Sequence, residues 1–550
     1  MRVGRLAAGA ASAAAILIAA SAPAAEDPRD ALFFGAADEP SAAPKAPPPS
    51  APAPEDPRDD LFFGADEAPA PAAGRPSAPS GDERDAAFFG DPSADERDSA
   101  FFGGDDVIDA SAPKDQPVTS DELQEEGRLL SGDEIERRMG LRENKLDVGG
   151  SLFLRMNYAA SSEGIPETFP VDSPNLLDLY LDARPNDRLR AFVRARVTHY
   201  FDETERVSAL GVPAERGTRG ALDQLWLKFD VERTVFVTAG RQSIRWGVGR
   251  FWNPTDFVNV ARRDPLAVLD ERLGVSLLKL HLPVEASGWN FYGIANVENA
   301  SSPDEIGGAL RVEKLIGTTE ISFSTAARKD QPFLVGADVS FPLGVLDLRA
   351  EVALSHGDER LFFRGPVGLT PPRPPVAFTR ENEWIPQAVV GAEVAIAYSE
   401  EDSLSVGAEY FYNGAGYDDT DLYPWLFLSG NFSPLYLGKH YAALYASAAA
   451  PGSWNDTTLI ASLLSNVSDG SFLSRFDYRV RLLTFLDVNA FVAWHFGSRG
   501  EMHFGLDLPK VDFPDGAPPG VPPALVKALE DGVNLAPPLV DVGVGAQLRF

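Results

Sequence analysis

Apolar and polar side chains alternate through the larger, C-terminal part of this chain. In the segment 187–200, Leu189 and Val193 fall on one face, and Arg190 and Arg194 fall on the other. Successive side chains of a β-strand point to opposite faces, so a period of two indicates a strand with one apolar face. The segment is therefore predicted to be an amphipathic strand.

The same alternation predicts an all-β fold, an antiparallel up-and-down β-barrel over residues 146–550. We count about 18 strands, and sixteen is the alternative count; an even number is expected when both chain ends lie at one rim. The predicted strands are 146–158, 175–184, 187–200, 221–232, 234–245, 273–282, 288–297, 307–315, 318–328, 332–341, 344–356, 387–399, 402–412, 437–449, 455–466, 472–482, 485–497 and 538–550.

The connections between these strands alternate in length. Those after even-numbered strands are tight, as at Pro185-Asn186 and Gly317. Short turns at one rim and long loops at the other are typical of barrels in the bacterial outer membrane, where the turns face the periplasm. Several connections after odd-numbered strands are long: 201–220, 246–272, 357–386, 413–436 and 498–537.

The last strand, 538–550, ends on an aromatic residue that is in phase with its apolar face. Val540, Val542 and Val544 lead to a C-terminal Phe550. This ending resembles the signal by which the barrel-assembly machinery of diderm bacteria recognises outer-membrane barrels. The resemblance favours a transmembrane barrel in contact with outer-membrane lipid, rather than a soluble β-protein that buries its apolar face.

Residues 1–25 are similar to a secretory signal peptide. Arg2 and Arg5 precede an apolar run, and Ala22-Pro23-Ala24 supplies small residues for cleavage. A retained anchor is the alternative. Beyond this run no stretch of 18 apolar residues occurs, which excludes a helical membrane protein. The chain contains no cysteine, so a lipid-modified cysteine, a disulfide and a cysteine-ligated metal are excluded.

Residues 26–118 are rich in Ala, Pro, Asp and Glu, and this composition predicts a disordered tail in the periplasm. The whole chain has a net charge of −32, and residues 26–144 hold 30 acidic and 11 basic side chains, a net charge of −19. Because nucleic acid needs a basic face, no nucleic-acid partner is expected.

A short motif, Arg-Asp-x-x-Phe-Phe-Gly, occurs four times in this tail. Paired aromatics are unusual in a disordered segment, and four copies would raise the effective concentration of a weak docking motif. We therefore predict that they bind a periplasmic or inner-membrane partner; a duplication without a partner is the alternative. The docking residues are Arg29, Phe33, Phe34, Arg58, Phe62, Phe63, Arg84, Phe88, Phe89, Arg97, Phe101 and Phe102.

Residues 119–145 are predicted to contain a short periplasmic helix. Ser131 and Glu134 form a capping box ahead of Ile135, Met139 and Leu141. The helix either links the tail to the barrel or plugs its entrance.

The polar faces of the predicted strands are rich in arginine, which in a barrel would line the lumen. Concentrated guanidinium groups favour an anionic solute, but ion pairs with acidic residues on the same faces would instead brace the wall; both alternatives remain open. The predicted pore-lining residues are Arg188, Arg190, Arg194, Arg196, Lys228, Lys279, Arg349, Arg475, Arg479 and Arg481.

The segment 240–272 is the most distinctive connection, because it is long and rich in Trp, Arg and Asp. We expect it to fold inward as a constriction, whereas an outer surface loop is the alternative. The predicted constriction residues are Arg245, Trp246, Arg250, Trp252, Asn253, Asp256, Asn259, Arg263 and Asp264.

Within this segment, Trp246-Gly247, Asn253-Pro254-Thr255-Asp256 and Arg263-Asp264-Pro265-Leu266 resemble the pattern of a family of proteobacterial outer-membrane barrels. Genes of that family often lie beside resistance-nodulation-division type exporters, and its members are distantly similar to alginate-export barrels. The resemblance covers roughly residues 146–550 and implies an outer-membrane export function. The Phe-Phe-Gly repeats lie outside it.

Three functions follow from these patterns: an export conduit for a lipid-like or anionic solute or polymer coupled to a periplasmic partner, an anion-preferring general porin, and a structural barrel. No enzyme is expected, because none of the six histidines lies in a recognisable nucleophile motif. No cofactor is expected. Asp418, Asp419 and Asp421 could bind calcium, but a solvated acidic loop is the simpler interpretation, so no metal site is predicted.

Overall fold

The computed structural model describes residues 145–550, apart from 162–170, 187, 202–205, 208–212, 215–216, 260, 268–269, 370–371, 400–401, 513–525, 527–528 and 531. The predicted signal peptide (1–25), the tail with its repeats (26–118) and nearly all of the predicted helical region (119–145) lie outside the described residues.

The described chain is dominated by one antiparallel sheet with 18 long strands. The alternation of apolar and polar residues in each one explains why it forms a strand with two unlike faces. The strands are β1 Leu146–Ser161, β2 Pro174–Asn186, β3 Leu189–Tyr200, β4 Thr218–Val231, β5 Val235–Gln242, β6 Val275–Val284, β7 Trp289–Asn296, β8 Gly307–Ile316, β9 Thr319–Ala327, β10 Phe333–Leu343, β11 Leu346–Arg364, β12 Val376–Ala397, β13 Ser403–Asn413, β14 His440–Ala449, β15 Thr457–Asn466, β16 Ser471–Leu483, β17 Leu486–Gly497 and β18 Pro538–Arg549.

Each strand pairs with the next along the chain, and the last pairs with the first. In the closing pair, Leu152 lies opposite Leu548 and Met156 lies opposite Val544. The backbone N–H of Phe550 donates to Gly150 O at 3.0 Å. The sheet is therefore a closed up-and-down barrel without a free edge, which confirms the predicted fold and the count of 18 strands rather than sixteen.

The two rims differ as the sequence predicts. Even-numbered strands are followed by turns such as Gly317-Thr318 and Gly344-Val345, and we call this end the short-turn rim. The long connections at the other rim carry most of the added structure, including the one-and-a-half-turn helix α1, Tyr423–Leu428. No helix among the described residues has the length and apolar character needed to span a membrane.

One predicted loop, 357–386, is largely strand. β11 continues to Arg364 and β12 starts at Val376, and the two stay paired through Asp358–Arg380 and Phe362–Phe378 with shifts of register. The sequence predicted a loop because the charged run 358–360 interrupts the alternation there. Irregular pairing tolerates such an interruption, since a bulge lets the ladder continue out of phase.

The two faces of the wall are inverted relative to a soluble protein. Large apolar side chains point outward and are exposed, for example Phe323 at 61%, Val390 at 60% and Leu444 at 54%. Charged side chains such as Lys228 and Asp338 are buried within the barrel. A continuous apolar outer surface around a polar interior is the arrangement of a barrel that spans lipid.

Candidate functional site

The connection between β5 and β6 lies inside the barrel, against its wall. We call residues 243–274 the inner segment. Phe251 and Trp252 of this segment are fully buried. The Trp252 indole stacks on Phe411 of β13 with 5.5 Å between ring centroids, and Phe251 lies 5.7 Å from the Tyr445 ring of β14. The aromatic pair is therefore seated on the inner face of the wall.

A second apolar cluster holds residues that precede and follow Phe251 and Trp252 in the inner segment against a different part of the wall. Ile244, Trp246 and Val258 pack with inward side chains of β6, β7 and β8, including Leu277 and Ile294. Phe251 and Trp252 are held by β13 and β14, which lie five to eight strands further round the wall than β6, β7 and β8. The inner segment consequently spans the lumen.

Glu351, on the inner face of β11, holds the turn of the inner segment through several hydrogen bonds. Its carboxylate accepts from the backbone N–H groups of Val248 and Gly249, at 2.6 and 2.5 Å, and from Thr255 Oγ1 at 2.8 Å. A Cβ on Gly249 would lie 2.0 Å from the carbonyl oxygen of Trp252. Glycine is thus required where the segment turns back on itself.

Glu409, on the inner face of β13, binds the next three backbone amides. The N–H groups of Arg250, Phe251 and Trp252 donate to its two oxygens at 2.6, 3.0 and 3.0 Å. Successive amides that converge on one anion form a nest, and a buried carboxylate is stabilised by such charge-assisted bonds. Two wall carboxylates therefore occupy five consecutive amides of the inner segment.

The Arg250 side chain adds an ionic contact to the same wall. Arg250 Nη1 donates to Glu393 of β12 at 3.1 Å, and its guanidinium lies 4.0 Å from the Tyr445 ring centroid. Glu393 also accepts from Arg349 at 2.6 Å. Arg349, predicted to line the pore, is thereby part of the anchor of the inner segment.

The other predicted constriction residues bind mainly within the segment, and Asn253 Nδ2 also donates to Glu351 of the wall at 3.3 Å. Asp256 accepts from Asn259 and forms an ion pair with Arg272 at 2.9 Å. Asn253 Nδ2 and Arg245 Nη2 both donate to Gly249 O. Arg263 Nη1 donates to Arg250 O, and Asp264 accepts from the N–H of Leu266.

The arginines of β3 pair with neighbouring carboxylates of the wall. Arg190 binds Asp182 at 3.0 Å, and Arg194 binds Asp223 at 2.5 Å. Arg196 binds Asp178 at 2.8 Å and also donates to Glu271 O of the inner segment. These three arginines are buried or nearly so, and they brace the wall. Lys228 is buried and Lys279 is half-buried.

The basic residues of β16 lie on the inner face and differ in exposure, from 11% for the Arg475 side chain to 55% for that of Arg481. Arg475 pairs with Asp477 at 2.6 Å and stacks 3.9 Å above the Phe491 ring. Arg479 is half-buried, and Arg481 pairs with Asp487 at 3.2 Å. Among the predicted pore-lining residues, Arg481 and Arg188, both near the short-turn rim, have exposed side chains, at 55% and 49%.

A second obstruction lies at the long-loop rim. The segments 414–439 and 498–535, as far as they are described, form an apolar cluster that we call the outer cap. Trp425 and Leu426 of α1 are buried against Leu506 and Leu529. This cluster was not predicted from the sequence, although the apolar run Tyr423–Leu428 inside a long loop could have indicated it.

Glu501 joins the outer cap to the wall. Its role was not predicted from the sequence. Its buried carboxylate accepts from Tyr441 Oη at 2.5 Å, from Asn466 Nδ2 at 2.8 Å and from the N–H of Leu437 at 3.1 Å. Burial raises the pKa of Glu501 to about 7, against the lowering effect of these donors. The group can therefore titrate near neutral pH.

The acidic loop and the C-terminus are also placed by the structure. Asp418 pairs with Lys439, and Asp419 accepts from the N–H of Asp421. Within the described part of the chain, no group of three or more His, Cys, Asp or Glu residues could hold a metal ion. Phe550 is 62% exposed, with its backbone paired to Gly150.

Comparison with known proteins gives only structural similarities. No family model and no curated protein matches the chain. A triple mutant of the porin of Rhodopseudomonas blastica is similar in structure, with a TM-score of 0.36 and 11% identity, over 74% of this chain and 100% of the porin. Pseudomonas aeruginosa OpdK with vanillate has a TM-score of 0.41 and 11% identity, over 74% of this chain and 98% of OpdK.

Proposed function

We propose that this protein is an outer-membrane channel or export conduit that is closed at rest by its inner segment. The observation that carries the proposal is the anchoring of Phe251 and Trp252 inside a barrel whose outer face is apolar. Wall carboxylates bind the segment mainly through its backbone amides. Since such contacts can be released without unfolding a strand, the segment is suited to act as a gate.

The membrane placement is supported by aromatic side chains at both rims. Trp289 stacks on Phe291 near the short-turn rim. Phe472 stacks on Phe496 near the long-loop rim, with 5.2 Å between centroids. Girdles of aromatic residues at the two lipid–water interfaces are typical of outer-membrane barrels. The N-terminal tail would then lie in the periplasm, since β1 starts at the short-turn rim.

The proposed solute is anionic or carries an anionic head group. Arg475, Arg479 and Arg481 follow one another along the inner face of β16 toward the short-turn rim, where Arg481 is exposed. Arginine binds carboxylate and phosphate groups through a planar fork of donors. Their partners Asp477 and Asp487 moderate the local charge, so a preference for anions rather than strict selection is expected.

We further propose that a periplasmic or inner-membrane partner engages the four Phe-Phe-Gly repeats and delivers the solute. Four weak sites on one chain hold a partner longer than any one site does. Replacing Phe33, Phe62, Phe88 and Phe101 with alanine should abolish retention of that partner on the full-length protein. Equal retention by the alanine variant would contradict this role.

The ionic preference can be tested by the reversal potential across a planar bilayer under a salt gradient. We expect the residual current of the full-length protein to favour anions. Substituting Arg475→Gln, Arg479→Gln and Arg481→Gln together should shift the reversal potential toward cations, while three lysine substitutions should preserve it. If the native protein, the glutamine variant and the lysine variant had the same reversal potential, the arginines of β16 would not line the solute path.

A further inference from the structure

Arg479 differs from the other two arginines on the inner face of β16. Arg475 pairs with Asp477 at 2.6 Å, and Arg481 pairs with Asp487 at 3.2 Å. Within the described part of the chain, the half-buried Arg479 forms no hydrogen bond and no ion pair. Its guanidinium is therefore a cation that no directly bound carboxylate neutralises.

Positive charge exceeds negative charge around Arg479. Asp487 binds Arg549 of β18 at 2.8 Å as well as Arg481, so four arginines share two carboxylates. The exposed Asp456, in the turn before β15, forms no ion pair with any described residue, and its backbone oxygen accepts from the N–H of Arg481. Even with Asp456 included, four positive charges face three negative ones.

A polar side chain lies beside Arg479 on each neighbouring strand. Thr458 of β15 and Asn489 of β17 are directly opposite Arg479 in the ladder. Residues opposite one another in antiparallel strands share a face, with Cβ atoms about 4.5–5.5 Å apart. Among the described residues, neither of these half-buried side chains has a hydrogen-bond partner. Three polar groups without partners thus lie side by side on the inner face.

Small residues continue this row on both sides. Ala449 of β14 lies opposite Thr458, and Gly545 of β18 lies opposite Asn489. A Cβ on Gly545 would lie 2.5 Å from Asn489 Oδ1, so the Asn489 amide needs glycine at that position. The row is therefore polar in its middle and carries no long side chain at its ends.

The row lies between the short-turn rim and the inner segment. Phe251 of the inner segment packs on Tyr445, which is opposite Ser462, and Ser462 is opposite Arg475. Arg479 is four residues nearer the short-turn rim, roughly 13 Å along the strand. A solute that enters the barrel from this rim reaches the row before it reaches the inner segment.

We propose that Arg479, Thr458 and Asn489 form a binding site for an oxyanion, namely a carboxylate or phosphate group of the solute. The planar guanidinium donates two parallel hydrogen bonds to such a group. The Thr458 hydroxyl and the Asn489 amide donate further bonds from the neighbouring strands. We call these three residues the entry site. Arg475 and Arg481 keep their own carboxylates and contribute only to the surrounding charge.

The entry site gives the proposed channel a step that precedes the gate. A solute held there by its anionic group presents the rest of its structure to the inner segment. Selection of the anionic group then occurs before the gate opens. This consequence rests on the proposed channel function, whereas the binding of an oxyanion does not.

Binding can be measured with the full-length protein in an uncharged detergent. The probes are acetate labelled with ¹³C at its carboxyl group and inorganic phosphate, each at constant ionic strength set with sodium chloride. We expect the protein to broaden the nuclear magnetic resonance signal of a probe in a saturable manner. Broadening of acetate alone identifies a carboxylate site, broadening of phosphate alone a phosphate site, and broadening of both a general oxyanion site.

Variants of the entry site should change this broadening in a defined order. Arg479→Gln should abolish it, and Arg479→Lys should weaken it because the planar fork is lost. Thr458→Val should lower the affinity about tenfold, as expected for the loss of one hydrogen bond to a charged group, and Thr458→Ser should preserve it. Arg188→Gln is the matched control, since Arg188 is an exposed arginine at the same rim that is paired with Asp230.

A second measurement needs no substitution and decides the question even if the Arg479 variants fail to assemble. Phenylglyoxal modifies arginine, and peptide mass spectrometry of the native protein locates the modification. Acetate or phosphate should slow the reaction of Arg479 but not that of Arg188.

The proposal would be overturned by equal broadening with the native protein and Arg479→Gln, or by the failure of both anions to protect Arg479. Binding at the entry site in a protein that conducts no ions, even after Glu351 and Glu409 are replaced, would leave the site intact. That result would remove the channel function instead.

Discussion

Glu409 shows how a single side chain of the wall holds the inner segment in place. Three consecutive amides, from Arg250 to Trp252, donate to its carboxylate inside the barrel. A neutral acceptor at this position would leave the amides with weaker partners, and each bond to a charged group contributes about 1.5–3 kcal/mol. The proposed gate therefore depends on a group in the wall as much as on the segment itself.

Glu409→Gln should loosen the inner segment without unfolding the barrel. We expect a local loss of about 1.5 kcal/mol, which corresponds to roughly tenfold faster amide exchange over residues 248–255. Hydrogen exchange with mass spectrometry measures this directly. Asp487→Asn, on the inner face of β17, serves as the control and should leave that peptide unchanged. Equal protection in the Glu409 variant and the native protein would show that the carboxylate does not hold the segment.

Glu501 should make the outer cap sensitive to pH. Its pKa in the folded cap, about 7, lies above its ordinary value of 4.5, so the folded cap binds the proton more tightly than the open cap does. The stabilisation from that proton is complete below pH 4.5, decreases as the pH rises, and is lost above pH 7. A difference on the order of 3 kcal/mol is the upper limit.

Exchange of amides in residues 425–437, corrected for the intrinsic effect of pH, should be slower at pH 5 than at pH 8. Glu501→Gln should remove most of this dependence, because glutamine does not titrate. The account of the outer cap would be wrong if the native protein and the glutamine variant gave the same pH profile.

At the scale of elements, the inner segment depends on glycine at the point where it turns. A Cβ at position 249 would meet the Trp252 carbonyl oxygen at 2.0 Å, so Gly249→Ala must displace the backbone that Glu351 and Glu409 bind. Faster amide exchange throughout 243–259 is expected, with unchanged exchange in the strands. Gly293→Ala in β7 is the matched control, since its nearest new contact is Leu310 at 3.9 Å. Similar exchange in both variants would contradict a tight turn.

The strands could be predicted from the sequence because each has its own signal. In β3 the odd-numbered residues from Leu189 to Val197 are all apolar and three of the four residues between them are arginine, and a period of two can be recognised without knowledge of the neighbouring strands. The extension of β11 and β12 could not be predicted, since the pairing of Asp358 with Arg380 depends on a shifted register that only the folded ladder defines.

The contacts of the inner segment and the outer cap were harder to predict from the sequence than the strands of the barrel wall. The unusual composition of 240–272 marked the inner segment, and Glu351 and Glu409 were recognisable as residues of the polar face. Their partners were not, because five backbone amides carry no sequence signature. In the outer cap, α1 packs against residues near Leu506 and Leu529. Contacts between loops that are this far apart in sequence produce no periodic pattern from which they could be predicted.

At the scale of the whole molecule, the protein is a closed barrel with two obstructions in series. The inner segment crosses the lumen, and the outer cap packs at the long-loop rim. A barrel of this size encloses a water-filled path unless protein fills it. The central claim is that the inner segment supplies the closure and that wall carboxylates hold it in place.

Single-channel conductance of the full-length protein in a planar bilayer tests this claim most directly. The native protein should be nearly silent, and the double variant Glu351→Ala, Glu409→Ala should open to a larger conductance, while Asp487→Ala should stay silent. A large, steady conductance of the native protein that the double variant leaves unchanged would contradict the account.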